Sequence, residues 1–154
     1  MKTFVLINHQ ITDEQVADLR RIMGYSGDII NLTDDPEIKA FWANIDPDAL
    51  ISNIDFHCIQ IWNKINELGG IQDGDLFFIQ GEAGATFNMV ETLINIGAIP
   101  VYATTKRESV EVVKDGVVTI KTNVFKHVRF RAYNREHDNM LIEGMLWRHY
   151  NEKL

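Results

Sequence analysis

Apolar runs of about five residues recur along the chain and alternate with segments of helical periodicity. The clearest runs span residues 2–7, 75–79 and 101–105, and a shorter candidate spans residues 28–32. Nearly continuous apolar runs of this length are typical of parallel strands that are covered on both faces. Parallel strands need crossover connections, which the intervening helical segments supply. The sequence therefore predicts an α/β fold, a Rossmann-like layered sheet with helices on both faces.

Helix boundary signals support this reading. Thr12 and Gln15 have the spacing of a capping box, and Gly24 follows the last turn of that segment. Pro36 predicts the first turn of a second helix, and Pro47 predicts the start of a third that ends in the glycine pair at 69–70. A fourth helix follows the third strand and runs through Ile96.

The last third of the chain has a different character. Asp115-Gly116 predicts a two-residue turn inside a hairpin over residues 110–121, and residues 123–133 predict a further strand. Strict alternation would place Val124, Lys126, Val128 and Phe130 on one face, and Phe125, His127, Arg129, Arg131 and Tyr133 on the other. We expect one domain over 1–154, with a core at 2–107, the hairpin and basic strand at 108–135, and a terminal helix at 136–154. The apolar side of that helix would carry Met140, Leu141, Met145, Leu146 and Trp147.

Charge is distributed unevenly along the chain. The formal net charge is −7, which argues against a general affinity for long nucleic acids. Residues 104–135, however, contain eight Lys or Arg and three Asp or Glu, which leaves an excess of +5 there and −12 elsewhere. A focused positive region on an acidic body favours a small ligand with several negative charges, although a solvated basic face would have the same composition.

Targeting, membrane and metal signals are missing from the sequence. No apolar run approaches the roughly 20 residues that span a bilayer, and the N-terminus lacks the pattern of a signal peptide, so we expect a cytoplasmic protein with no membrane partner. Cys58 is the one cysteine, and no Cys/His spacing resembles a zinc site. We expect no metal and no cofactor.

Polar side chains follow three of the predicted strands, where ligands bind in sheets of this type. These segments are Asn8-His9-Gln10, Gln80-Gly81-Glu82 and Thr104-Thr105-Lys106-Arg107. The second continues into a glycine turn through Gly84, Ala85 and Thr86 before a helix, an arrangement that offers backbone N–H groups to an anion. It matches neither standard phosphate fingerprint. The candidate ligand-binding set is Asn8, Gln10, Gln80, Gly81, Glu82, Gly84, Ala85, Thr86, Thr104, Thr105, Arg129 and Arg131.

Four residues are candidates for chemistry at such a site. Lys106 and Arg107 suit a phosphate, and His9 or His127 suits proton transfer near neutral pH. No catalytic triad, carboxylate pair or metal motif accompanies them, which points to a substrate that carries its own nucleophile. RNA does so, because its 2′-hydroxyl can attack the adjacent phosphate.

Four segments, "VLINHQIT", "IQGEAGATFNMV", "IPVYATTKRESVE" and "VFKHVRFRAY", resemble the small type III CRISPR-associated proteins of the Csx-twenty family, which is related to the CRISPR-associated Rossmann-fold (CARF) sensors. The resemblance covers residues 2–133. It implies a CARF-type domain and a dimeric, metal-independent ring nuclease that opens cyclic oligoadenylate, with cyclic tetra-adenylate as the expected substrate. The three strand-end segments would form the binding surface, and His127, Arg129 and Arg131 would close over it. A two-fold dimer suits a cyclic tetranucleotide, which has internal two-fold symmetry.

Two rival interpretations remain open at this point. A sensor or sponge would bind the same ring without cleaving it, and a Rossmann-like domain for an ordinary nucleotide or sugar phosphate would use the same strand ends.

Overall fold

The computed structural model describes residues 1–24 and 27–142. Its elements in chain order are β1 (Lys2–Leu6), α1 (Asp13–Met23), β2 (Asp28–Asn31), a short 3-10 turn (Leu32–Asp34), α2 (Pro36–Ala43), α3 (Ile51–Glu67), β3 (Leu76–Ile79), α4 (Ala83–Asn95), β4 (Ile99–Lys114), β5 (Val117–Ala132) and α5 (Arg135–Ile142). Five strands form one sheet in the order β2-β1-β3-β4-β5, with β5 antiparallel to β4 and the other pairs parallel. The predicted α/β layered fold is confirmed.

Alternating side chains of β1 and β3 divide the interior into two cores. Phe4 and Phe77 face α2, α3 and α4, while Val5 and Phe78 face α1 and α5. Helices therefore cover both faces of the sheet, which explains why these strands read as continuous apolar runs. Within the described residues, no helix is long and apolar enough to span a bilayer.

The sequence signals predicted the start of α1 correctly but not the start of α3. Thr12 and Gln15 form the predicted capping box, and Gly24 ends α1 with a φ of 84°. The predicted start of the third helix at Pro47 is wrong. The carboxylate of Asp46 accepts a hydrogen bond from the backbone N–H of Asp48 at 2.9 Å and turns the chain there, so that the helix begins at Ile51.

The C-terminal hairpin is longer than predicted. The strand at 101–105, the hairpin at 110–121 and the strand at 123–133 are parts of two 16-residue strands, β4 and β5. Pairing of β4 with β3 ends at Val101, so residues 104–129 form a two-stranded extension that we call the arm. Asp115 and Gly116 make its turn, both with positive φ, as predicted. Of the predicted terminal helix, residues 143–154 lie outside the described residues, including Met145, Leu146 and Trp147.

A β-bulge in β5 overturns the predicted alternation of faces. Thr104 pairs with Arg129 and Thr105 pairs with His127, which leaves Val128 as the extra residue. The side chains of His127 and Phe130 consequently lie together, with ring centroids 4.9 Å apart. Phe130 belongs to the face of His127 and not to that of Val124 and Lys126.

Candidate functional site

The carboxyl ends of the parallel strands form the edge at which the predicted segments meet. The chain passes from β1 to β2 on one side and returns to place β3 on the other side of β1, so the crossover direction reverses between β1 and β3. In open α/β sheets, ligands bind outside the carboxyl ends of the strands at such a reversal. The segments that follow β1 and β3 flank this position, and the base of the arm lies one strand further along the sheet.

A cavity of about 420 Å³ lies beyond the ends of β1 and β2. Its lining combines polar groups with one lysine: Ile7, Asn8, His9, Gln10, Asn31, Thr33, Asp34, Lys39 and Ala43. His9 is exposed, and its Nδ1 lies 2.8 Å from the carbonyl oxygen of Gln10. A carbonyl can only accept, so Nδ1 carries a proton in this contact, and Nε2 is the ring nitrogen that is left for a ligand.

Gln80 and Gly81 hold the edge together. The side chain of Gln80 accepts from the N–H of Ala103 at 3.1 Å, which extends the contact between β3 and β4 past their last backbone pair. The backbone carbonyl of Gln80 accepts a hydrogen bond from Nε1 of Trp42 at 2.9 Å. A Cβ on Gly81 would lie 2.7 Å from the indole of Trp42, so this glycine permits a close packing contact. Both residues support the site from within the fold.

Glu82 occupies the backbone groups that the glycine turn was expected to offer to a phosphate. It is the N-cap of α4, and its carboxylate accepts from the N–H groups of Gly84 and Ala85, each at 2.9 Å. These two hydrogen bonds hold the pKa of Glu82 below its ordinary value. Gly84, Ala85 and Thr86 belong to the first turn of α4, and their helix end already has its own anion. The phosphate-binding interpretation of this turn is therefore not supported by its geometry.

Thr86 is the polar residue of this turn that is left without a partner. It is buried, and its hydroxyl oxygen makes no hydrogen bond within the described part of the chain. It does not line the cavity beyond the ends of β1 and β2.

The base of the arm carries an unneutralised pair of like charges. Lys106 pairs directly across the strands with Lys126, and both are exposed. Neither ammonium group has an ion-pair partner within residues 1–24 and 27–142. Like charges opposite each other destabilise a sheet by a few tenths of a kcal/mol to about 1 kcal/mol. An anionic ligand bound between these two lysines would relieve their repulsion.

Cations and aromatic rings alternate along the same base. The guanidinium of Arg107 lies 6.0 Å from the ring centre of Phe125, its cross-strand neighbour. Arg131 lies 5.6 Å from the ring centre of Tyr102 and donates to its hydroxyl at 3.1 Å, a bond that raises the pKa of Arg131. Pairs of this kind stack on nucleobases and bind phosphates.

Two further residues fix the arm to the sheet. The hydroxyl of Tyr133 donates to the carbonyl of Ile79 at 2.8 Å, and burial raises the pKa of Tyr133 to about 12, so that it stays a donor. The hydroxyl of Thr104 donates to the carbonyl of Arg129 at 3.1 Å. Arg129 also lies 3.7 Å from the carboxylate of Asp138, which turns its charge toward α5.

His127 lies inside the protein and away from the exposed cations. Its side chain is 6% exposed, and its Nε2 donates to Asp18 of α1 at 2.9 Å. Its Nδ1 is buried without a hydrogen-bond partner among the described residues. Arg21 makes a second contact to Asp18 at 2.8 Å. The bulge at Val128 thus turns His127 into an anchor between the arm and α1.

The predicted residues therefore separate into four groups. Asn8, His9 and Gln10 line the cavity, and Gln80, Gly81, Glu82, Gly84, Ala85 and Thr86 build the start of α4. Thr104, Thr105, Lys106 and Arg107 form the arm base, next to Arg131. His127 and Arg129 contact Asp18 of α1 and Asp138 of α5. Sequence reasoning missed Asn31, Thr33 and Lys39, although Asn31 and Thr33 lie at the end of the strand predicted at 28–32, and strand ends were the signal used for the other three segments. It also missed Lys126 as the partner of Lys106, because that requires the register of the hairpin.

Comparison with known proteins places the chain in a family. Residues 1–131 match the uncharacterized protein MJ1673 family. The chain belongs to that family. It is 37% identical over 134 residues to the uncharacterized protein MJ1673 of Methanocaldococcus jannaschii, an alignment that covers 86% of this chain and 97% of that protein. No solved structure matches the chain. The MJ1673 family match includes the carboxyl edge, the arm and Arg131.

Proposed function

We propose that this protein binds cyclic oligoadenylate, with cyclic tetra-adenylate as the expected ring, and cleaves it as a metal-independent ring nuclease of type III CRISPR signalling. The unneutralised Lys106–Lys126 pair is the observation that carries the proposal. It lies in the arm, beyond the carboxyl edge of the sheet, and Arg107 with its aromatic neighbour lies on the opposite face of the arm. A ligand with several phosphates and bases matches both features, since phosphates neutralise the lysines and bases stack on the rings.

The reaction needs few protein groups. The 2′-hydroxyl of one nucleotide gives its proton to a base and its oxygen attacks the adjacent phosphorus. The bond from phosphorus to the 5′-oxygen breaks, the 5′-oxygen takes a proton from water or from the protonated base, and a linear adenylate with a 2′,3′-cyclic phosphate results. Lys106, which is paired across the strands with Lys126, would stabilise the charge that develops on the phosphoryl oxygens. Arg107 lies on the opposite face of the arm, so it would contact a different phosphate of the ring. His9 would accept the proton of the 2′-hydroxyl through Nε2. His127 would support the arm and not transfer protons, because it is buried against Asp18.

A two-fold dimer would present two such edges to one ring. The resemblance to CARF proteins and the symmetry of a cyclic tetranucleotide both favour this arrangement. Adjacent strands are about 4.8 Å apart, so the end of β1 and the base of β4 are separated laterally by about 10 Å, and one ligand with several phosphates can contact both.

The test is a comparison of ring opening by the wild type, Lys106→Ala and His9→Ala, each in EDTA with purified cyclic tetra-adenylate. Loss of one phosphoryl-stabilising cation is expected to slow the reaction by about 100-fold or more, and loss of the base by a similar factor. Equal rates in all three proteins would refute the assignment of the site.

Non-catalytic binding is the second candidate, and the burial of His127 favours it. That burial leaves His9 as the one histidine of the two candidates that is exposed at the edge. A sensor or sponge would retain the ring intact. Lys106→Ala would then weaken binding of the ring, and neither wild type nor variant would form a linear product.

A further inference from the structure

The arm has two chemically different faces. The register defines them, because the alternation along β4 is regular from Thr104 to Lys114 and both extra residues lie in β5. One face carries cross-strand pairs that satisfy each other: Ser109 with Asn123 at 3.2 Å, and Lys121 with Glu111 at 3.8 Å. We call this the polar face of the arm, although it also carries two exposed apolar side chains, Phe125 and Val113.

The opposite face carries valines between lysines, and we call it the valine face. Its members along β4 are Lys106, Glu108, Val110, Val112 and Lys114, and their cross-strand partners include Lys126, Val124, Thr122 and Val117. Val110, Val112, Val117 and Val124 are all exposed. A two-stranded hairpin without a covered apolar face is marginally stable in water. This face therefore requires a partner surface that is apolar at its centre and acidic at its margins.

The groove between α2 and α3 has that complementary composition. It encloses about 850 Å³, and its apolar lining includes Ile38, Phe41, Ile45 and Phe56. Its acidic lining consists of Asp35, Glu37, Asp46 and Glu67, against one lysine, Lys64. The ammonium of Lys64 lies 3.5 Å from the carboxylate of Asp35 and 3.6 Å from that of Glu67. Among the described residues, Lys64 therefore forms no ion pair with the two other acids of the groove, Glu37 and Asp46.

The area that the arm can bury distinguishes a contact made by one arm from a two-fold exchange of arms between two copies of the chain. The valine face is about 30 Å long and 10 Å wide, or about 300 Å², from the spacing of residues and strands. One arm against one surface buries about 600 Å² in total, which is the size of a crystal contact, whereas a two-fold exchange of two arms buries about 1,200 Å² and reaches the range of stable interfaces. A second copy supplies that doubling through its symmetry.

We propose that two copies of this chain exchange arms, with the valine face of each arm seated in the groove between α2 and α3 of the other copy. The contact is isologous, with valines on the apolar lining and Lys114 near the acids. The valine face includes Lys106 and Lys126 of the proposed site, but the contact requires no ligand, so it can be tested without one.

Sedimentation of the full chain without ligand, over a wide concentration series, tests the arrangement. Val124→Asp in the valine face and Phe56→Asp in the groove should each raise the dimer Kd by about tenfold or more. Two matched controls have aromatic side chains of nearly equal exposure elsewhere: Phe125, 67% exposed on the polar face, and Phe87, 68% exposed on α4. Phe125→Asp and Phe87→Asp should change the Kd by less than about threefold.

Folding does not confound these variants, because all four side chains are exposed and urea denaturation checks that each protein is intact. A monomeric wild type at every concentration would overturn the proposal. So would a control that disrupts the dimer as strongly as Val124→Asp, or a Phe56→Asp protein that dimerises like the wild type. Ring cleavage is measured separately, so a protein that dimerises as expected but leaves the ring intact contradicts the proposed function alone.

Discussion

Gly81→Ala tests the structural account of the edge in the most quantitative way. The new Cβ would lie 2.7 Å from three atoms of the Trp42 indole, a distance that real Cβ contacts do not show. The indole cannot retreat freely, because Trp42 is 1% exposed and its Nε1 donates to the carbonyl of Gln80 at 2.9 Å. Overpacking costs about 1–3 kcal/mol and the strained hydrogen bond about 1 kcal/mol, so the free energy of unfolding should fall by about 2–4 kcal/mol.

Gly84→Ala is the matched control, three residues away in the same segment. There the new Cβ meets nothing closer than the carboxylate oxygens of Glu82 at 3.4 Å, which is an ordinary contact. Gly84 is part of α4, where alanine is favoured over glycine by about 0.5–1 kcal/mol. The free energy of unfolding should therefore rise slightly.

Urea denaturation monitored by circular dichroism measures both changes. With a slope of about 2 kcal/mol per molar urea, Gly81→Ala should lower the midpoint by about 1–2 M. A midpoint for Gly81→Ala at or above that of the wild type would refute the role assigned to the contact with Trp42. A large loss in Gly84→Ala would refute the assignment of that residue to α4.

Three further predictions concern charges. The pKa of the Glu82 carboxyl is lowered in the folded state, so the ionised carboxylate stabilises the fold fully above the unfolded pKa of about 4.3. This stabilisation is lost as the pH falls through the folded pKa. The stability advantage of wild type over Glu82→Gln, measured by urea titration, should therefore shrink on acidification. Asp18→Ala should cost about 1–3 kcal/mol in the same titrations, because it leaves both nitrogens of buried His127 unpaired, and an unchanged midpoint would contradict the anchoring role. Lys126→Glu should stabilise the arm by pairing with Lys106 while it weakens cyclic tetra-adenylate binding, measured by fluorescence titration, and tighter binding would contradict the cationic site.

The parts of the fold that depend on local chemistry were predictable from the sequence. The capping box of Thr12 and Gln15 involves neighbours in the chain, and the apolar runs at 2–7 and 75–79 report burial on both faces directly. The layered α/β fold follows from their alternation with helices. Asp46 shows the limit of such signals, because its own turn overrides the helix start suggested by Pro47.

Three features were not predictable from the sequence: two depend on tertiary contacts, and the third depends on a local hydrogen bond of Glu82. The bulge at Val128 is stabilised by the contact of His127 with Asp18, which is 109 residues away in the chain, so period-two alternation gave the wrong faces. Glycine spacing suggested an anion site at Gly84, whereas Glu82 supplies the anion from within the chain. Lys106 was identified from sequence, but its opposition to Lys126 needed the register of two strands.

The central claim is that the carboxyl edge and the arm base open a ring of adenylates. The most direct measurement is a single-turnover reaction in EDTA, with enzyme in excess over cyclic tetra-adenylate. The products are separated by chromatography and identified by mass spectrometry. The account predicts that the ring disappears and that linear adenylates ending in a 2′,3′-cyclic phosphate replace it. An intact ring after prolonged incubation with folded protein would contradict it.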